Sequence, residues 1–177
     1  MDILLSLGGW VNYCSAYTQY TIKRSMASRR QIEEKIVIEQ MKKLLVLCTG
    51  NSCRSQMAEG LLTSFLFNTK VYSAGTKPEK VNPYAIKAMA EIGIDISKNT
   101  SNHADEYANI DFDYVFTVCD NAKEICPVYS KAKQMIHHSF SDPADATGTD
   151  NEQLEVYVEV RDQLRDYFKA FAENNLS

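Results

Sequence analysis

Leu44-Leu45-Val46-Leu47 runs straight into Cys48-Thr49-Gly50-Asn51-Ser52-Cys53-Arg54-Ser55, and the order of these residues decides how the chain folds. A short apolar run ends on a thiol, a small polar loop follows, and an arginine arrives six positions after the thiol. Apolar residues then recur at Ala58, Leu61, Leu62 and Phe65, the spacing of a helix face. The pattern predicts Cys48 at the C-terminal end of a buried strand, and a loop of backbone N–H groups at a helix N-terminus. Unpaired N–H groups and the helix dipole both favour negative charge, so such a loop suits a tetrahedral oxyanion. The same field predicts a Cys48 thiolate at neutral pH, and hence a nucleophile. Thr49, Gly50, Asn51, Ser52 and Cys53 form the loop that would wrap the anion, and Arg54 offers a planar fork to two of its oxygens.

On either side of this stretch, apolar patterning predicts strands at 43–48, 70–74, 113–118 and 134–138. It predicts helices at 54–67, 83–92 and 151–173, a short irregular one near 102–109, and one near 120–126. Asn82-Pro83 supplies an N-cap followed by proline at the first helical position. Thr149-x-x-Glu152 is a capping box ahead of a helix whose Tyr157, Val160, Leu164, Tyr167, Phe168 and Phe171 form an apolar stripe. That stripe reads as core packing. Strands alternating with helices imply parallel β-α-β units and an α/β sheet covered on both faces.

The chain of 177 residues has the length of one ordinary domain with an appendage. A hydrophobic fraction of 45% is enough for a real core, and a net charge of −4 without a basic stripe argues against nucleic acid as a partner. No apolar run approaches the roughly 20 residues of a membrane span. Cys14, Cys48, Cys53, Cys119 and Cys126 are too few and too uneven for a disulfide scaffold. They point instead to catalytic or redox thiols in a reducing cytoplasm. Residues 1–40 differ from the rest: Ile3 to Trp10 is apolar but has Asp2 where a signal peptide needs a basic region, and 28–40 has helical spacing. We expect a domain over 41–177, preceded by an extension that either lies upstream of a natural start at Met41 or packs on the domain or a partner.

A second constellation follows Tyr114-Val115-Phe116-Thr117-Val118, a β-rich run closed by Cys119, with Cys126-Pro127 seven residues further on. If the strands ending on Cys48 and Cys119 are neighbours, about 4.8 Å apart, the two thiols come within disulfide range after a modest movement. Cys119 and Cys126 on an α-helix would have Cα atoms about 10 Å apart, so a bridge between them needs the turn to unwind. Two unrelated buried cysteines are the alternative; the reactive loop elsewhere favours a three-thiol relay. Asp142, in Ser141-Asp142-Pro143-Ala144-Asp145, is a candidate proton donor near the anion, with Asp145 as its stand-in. His137 and His138 have no metal-binding partner pattern and read as core or rim, and His103 as a surface residue.

The loop, together with Val71-Tyr72-Ser73-Ala74-Gly75, Asn82-Pro83, Ile94-Asp95-Ile96-Ser97 and Asp142-Pro143, resembles the low-molecular-weight tyrosine phosphatase superfamily. Within it the chain resembles the thioredoxin-coupled arsenate reductases, because phosphatase members typically lack the Cys119 and Cys126 pair. The resemblance covers about residues 42–173. It implies a three-layer, phosphotyrosine phosphatase I-like sandwich around a four-stranded parallel sheet. It also implies that Cys48 attacks arsenate held by the loop and Arg54, that Asp142 protonates the departing oxygen, and that Ser55 hydrogen-bonds the Cys48 sulfur. Cys119 then attacks Cys48 and releases arsenite, Cys126 attacks Cys119, and thioredoxin reduces the resulting disulfide. No tightly bound cofactor is implied and a monomer is expected. Some members hold potassium through residues matching Asn51, Glu59, Ser73 and an aspartate whose place here is taken by Asn102. Two further readings stand beside reduction: a phosphomonoesterase using Cys48, Arg54 and Asp142 alone, and an oxyanion sensor without turnover.

Overall fold

The structure, a computed structural model, describes residues 41–119, 129 and 132–176. Four parallel strands, β1 (Lys42–Cys48), β2 (Thr69–Gly75), β3 (Tyr114–Thr117) and β4 (Gln134–His137), form one sheet in the order β2-β1-β3-β4. Cys48 pairs with Gly75 of β2, and Leu47 pairs with Thr117 of β3, so β1 is a central strand. Leu44 to Leu47 are at most 1% exposed, as a near-continuous apolar run between two helical layers requires. All four strands fall where the sequence predicts them, within one or two residues at each end.

Three α-helices are described: α1 (Arg54–Phe65), α2 (Pro83–Ala90) and α3 (Asp150–Asn175). Helix α2 starts as predicted, with the Asn82 side chain accepting from the Tyr84 N–H at 2.8 Å and Pro83 at the first position. The Thr149–Glu152 capping box opens α3. Helices α1 and α2 both pack on α3, whose Tyr157, Val160, Leu164 and Phe168 are buried. Phe116 of β3 meets Phe168 and Phe171 edge-on, with ring centroids 5.1 and 4.8 Å apart. Each fully buried ring or branched aliphatic of this kind stabilises the fold by about 1.5–3 kcal/mol. The aromatic stripe is therefore core.

On the opposite face Tyr72 packs against Tyr107 and Phe112, and Phe112 against Tyr129. The irregular helix expected near 102–109 is a single 3-10 turn, Ala104–Tyr107. His103 keeps 45% of its side chain exposed, in keeping with the surface position expected, and is tied down as well. Its ring accepts from the Asp105 N–H, its Nε2 lies 3.1 Å from the Thr76 carbonyl, and its backbone bridges to Gly75. His137 pairs with the Thr117 hydroxyl at the sheet rim, and His138 stacks on Tyr167. The helices expected over 28–40 and 120–126, and with them Cys14 and Cys126, lie outside the described residues.

Candidate active site

The strand–loop–helix unit places Cys48 at the end of β1 and Cys53 at the N-cap of α1. No side chain caps that helix and no acidic residue sits in its first turn, so its leading N–H groups stay available for an anion. Asn51 takes a positive φ of 46°, a conformation that asparagine tolerates better than most residues. It is held there from several sides. Its Oδ1 accepts from the Asn102 N–H at 2.9 Å, and its carbonyl accepts from Gln56 Nε2 at 3.1 Å and Ser101 Oγ at 2.7 Å. Gln56, fully buried, also reaches the Thr100 carbonyl and accepts from Asn99.

Cys48 is only 3% exposed, and its sulfur receives the Asn51 N–H at 3.1 Å and lies 2.8 Å from Ser55 Oγ. Asn51 Nδ2 donates to Ser55 Oγ at 2.9 Å, which leaves the Ser55 hydroxyl proton to point at Cys48. The expected Ser55–Cys48 contact is therefore present. The ionisation expected for Cys48 is opposed by its surroundings. Burial pushes its thiol above the ordinary cysteine value, against the lowering influence of Ser55 and Asn51. Arg54 does not offset this, because its Nη1 donates to the Phe140 carbonyl at 2.9 Å and its Nη2 is paired with Asp142. Donor groups can be counted along the sequence; the loss of water around a sulfur packed into the core cannot.

Asp142 faces the loop as predicted. Its Oδ2 takes the Arg54 guanidinium and its Oδ1 accepts from the Ala144 N–H at 3.1 Å. Asp145 lies one turn away and makes no such contact, so of the two aspartates it is Asp142 that pairs with Arg54. A cavity of about 210 Å³ is lined by Cys48, Thr49, Gly50, Ser52, Cys53, Arg54, Glu79, Asp142 and Ala144. A second, of about 450 Å³, is lined by Arg54, Cys119, Ser139, Phe140, Ser141, Asp142 and Asp145. Arg54 and Asp142 line both, with Cys48 on one side and Cys119 on the other. Strands β1 and β3 are neighbours, and Cys119 Sγ sits 3.5 Å from Thr49 Oγ1, within hydrogen-bonding range for sulfur. Cys48, Cys53 and Cys119 are all free thiols. The Cys53 sulfur lies 3.6 Å from Tyr157 Oη on α3, and burial raises its thiol as well.

The residues considered for potassium do converge, but as a closed hydrogen-bonded chain. Asn51 Nδ2 donates to Ser73 Oγ at 2.8 Å, and Ser73 Oγ donates to Glu59 Oε2 at 2.5 Å. Asn102 turns its side-chain amide to Tyr107 Oη at 2.7 Å. A potassium ion needs several oxygens free to replace its hydration shell. Here Ser73 Oγ is taken by Asn51 Nδ2 and Glu59, Asn51 Oδ1 accepts from the Asn102 N–H, and the neutral Asn102 stands where the resemblance implies an aspartate. The set does not fit the ion.

Sequence reading missed Gln56, Phe140 and Glu79. Gln56 reads as an ordinary helical residue; only the fold shows it clamping Asn51. Phe140 acts through its carbonyl, which no side-chain pattern reveals. Glu79 sits in a loop whose course along the cavity is set by backbone hydrogen bonds.

Residues 43–176 match the model of the low molecular weight phosphotyrosine protein phosphatase family. The chain is 48% identical over 133 residues to an arsenate reductase of Halalkalibacterium halodurans, covering 75% of this chain and 96% of that protein. It is 46% identical over 128 residues to an arsenate reductase of Bacillus subtilis, covering 72% and 92%. Among solved structures, an arsenate reductase in the phosphate binding state superimposes with a TM-score of 0.65 at 34% identity, over 76% of this chain and 98% of that one. A strand-end cysteine, an anion loop and an arginine on a four-stranded parallel sheet thus come with similarity running through almost all of 43–176, and the chain belongs to the low molecular weight phosphotyrosine protein phosphatase family.

Proposed function

We propose that this protein reduces arsenate to arsenite through Cys48, Cys119 and Cys126, with thioredoxin as the external reductant. The observation that carries the reading is the second thiol: Cys119 stands beside the oxyanion loop at the end of the neighbouring strand, 3.5 Å from the residue that follows the nucleophile. A phosphomonoesterase has no use for it. The arsenate reductases among the relatives support the same reading.

A buried, protonated Cys48 must lose its proton before it attacks. The incoming dianion is the natural acceptor: a doubly charged oxyanion takes the thiol proton as it settles onto the loop N–H groups, leaving a thiolate held by Asn51 and Ser55. Arg54 turns from Asp142 to the oxyanion, and Asp142, carrying a proton from solvent, delivers it to the outward oxygen. Sulfur–arsenic bond formation then expels water. Cys119 attacks Cys48 sulfur and its thiol proton passes to the departing oxyanion; the sulfur–arsenic pair of electrons stays on arsenic, which leaves as arsenite, and a Cys48–Cys119 disulfide remains. Cys126 attacks Cys119 and frees Cys48, and the dithiol of thioredoxin reduces the Cys119–Cys126 bridge. Such a cycle belongs in a reducing compartment, and we infer a cytoplasmic protein acting as a monomer.

The deciding measurement is NADPH consumption with thioredoxin, thioredoxin reductase and arsenate, set beside hydrolysis of p-nitrophenyl phosphate. Arsenate-dependent oxidation that stops on Cys119→Ser is expected. Brisk ester hydrolysis with no arsenate-dependent oxidation would favour the phosphomonoesterase, and stoichiometric oxyanion binding without either activity the sensor.

A further inference from the structure

The loop between β2 and α2 brings to the oxyanion cavity a charge that the mechanism above leaves unused. It runs beside residues 49–52 and is laced to them by three backbone hydrogen bonds. Lys77 N–H donates to the Thr49 carbonyl at 2.9 Å, Glu79 N–H to the Gly50 carbonyl at 2.8 Å, and Asn82 N–H to the Ser52 carbonyl at 2.9 Å. The lacing fixes where each side chain leaves the backbone. Lys77, Glu79 and Lys80 are all exposed, yet of the three only Glu79 lines the cavity that holds Cys48 and Arg54. Its carboxylate hangs over Gly50: a Cβ placed on that glycine would lie 3.6 Å from Glu79 Cδ and Oε2. Asp142, the other carboxylate of the cavity, is matched by Arg54. Among the described residues Glu79 has no ion-pair partner.

An oxyanion seated on the loop N–H groups directs one substituent outward, past this wall. We propose that Glu79 is a specificity-determining residue, admitting small oxyanions and derivatives whose outward group is neutral or cationic, and turning away those whose outward group is negative, acidic phosphopeptides among them. The proposal rests on the oxyanion-site reading of the cavity, but not on whether the reaction there is reduction or hydrolysis. A carboxylate facing a like charge a few ångströms away at a partly solvated surface, after salt screening, changes an affinity by roughly three- to tenfold.

The test uses the full chain and three probes that it cannot consume: inorganic phosphate, benzylphosphonate and 4-carboxybenzylphosphonate, each titrated calorimetrically. Glu79→Gln is expected to tighten 4-carboxybenzylphosphonate relative to benzylphosphonate by about three- to tenfold, and Glu79→Lys by more. An unchanged ratio in both variants, with inorganic phosphate still bound, overturns the role of Glu79 and leaves the oxyanion site standing. Failure of the unaltered protein to bind inorganic phosphate overturns the site itself, and Glu79's role with it.

Discussion

Thr49 Oγ1 and Cys119 Sγ lie 3.5 Å apart across the seam between β1 and β3. The contact ties the residue after the nucleophile to the thiol proposed to attack second. Cys119→Ser should therefore reduce thioredoxin-coupled arsenate turnover to background while leaving any p-nitrophenyl phosphate hydrolysis within about twofold. Thr49→Val should slow only the step after arsenate capture, by about three- to tenfold, the worth of one modest hydrogen bond. Rapid-quench measurement of arsenite release separates the two steps, and a Thr49→Ser variant should recover most of the rate. Equal loss in Val and Ser variants would mean that the hydroxyl is irrelevant.

The Arg54–Asp142 pair closes the wall between the two cavities. Asp142→Asn keeps the shape but removes the proton donor and half of the ion pair. Its single-turnover rate should fall by about 10²–10⁴-fold, the usual worth of a positioned acid. Phosphate affinity should hold or rise, because the guanidinium no longer has a carboxylate to leave. A parallel drop in both quantities would show that Asp142 shapes the site and does not donate to the leaving oxygen.

Much of this site was readable before folding was considered. Cys48, Arg54, Ser55 and Asp142 are local to one loop, or lie next to a proline that fixes the turn; Cys48, Arg54 and Asp142 line the cavity, and Ser55 lies buried against the Cys48 sulfur. The neighbouring of β1 and β3, on which the Cys48–Cys119 relation depends, stood only as a condition in the sequence, because strand ends on one edge do not fix strand order; the sheet order meets it. What escaped was either collective or carried by the backbone. Desolvation of Cys48 depends on every residue packed around β1, and counting donors along the sequence leaves out this upward push on its thiol. Gln56 clamps Asn51 only because residues 99–102 arrive from a distant part of the chain. Residues proposed for an ion form a hydrogen-bonded chain, Asn51 to Ser73 to Glu59, with the Asn102 N–H taking up Asn51 Oδ1.

Gly75 shows how tightly that loop is held. A Cβ there would fall 2.5 Å from the Thr49 carbonyl oxygen and 2.8 Å from the Asn51 nitrogen, both backbone atoms that cannot swing aside. Gly75→Ala should therefore displace the oxyanion loop, weaken phosphate binding by more than tenfold, and destabilise the fold by about 1–3 kcal/mol, the cost of overpacking. Gly93 is the control: its φ of 77° makes alanine strained, but nothing lies near its Cβ, so Gly93→Ala should cost stability without touching phosphate affinity. Calorimetric titration together with thermal melts reads both effects, and intact phosphate binding in Gly75→Ala would contradict the packing argument.

Glu59 ties stability to pH. Burial holds its carboxyl above the ordinary glutamate value, and the Ser73 hydroxyl only partly offsets this. A raised folded-state value means that the native protein keeps a proton the unfolded chain has already released. Stability from this group is thus fully present below the unfolded glutamate value and declines as pH climbs from there through the folded one. Glu59→Gln keeps an acceptor for Ser73 but removes the buried charge, so its melting temperature should overtake that of the unaltered protein as pH rises. By pH 8 the gain should be about 2–4 °C, the equivalent of ~1 kcal/mol in a domain of this size. At pH 4 the two should melt together. If Glu59 instead held potassium, the same substitution would lower the melting temperature in potassium chloride but not in sodium chloride. The closed Glu59–Ser73–Asn51 chain predicts identical melts in the two salts.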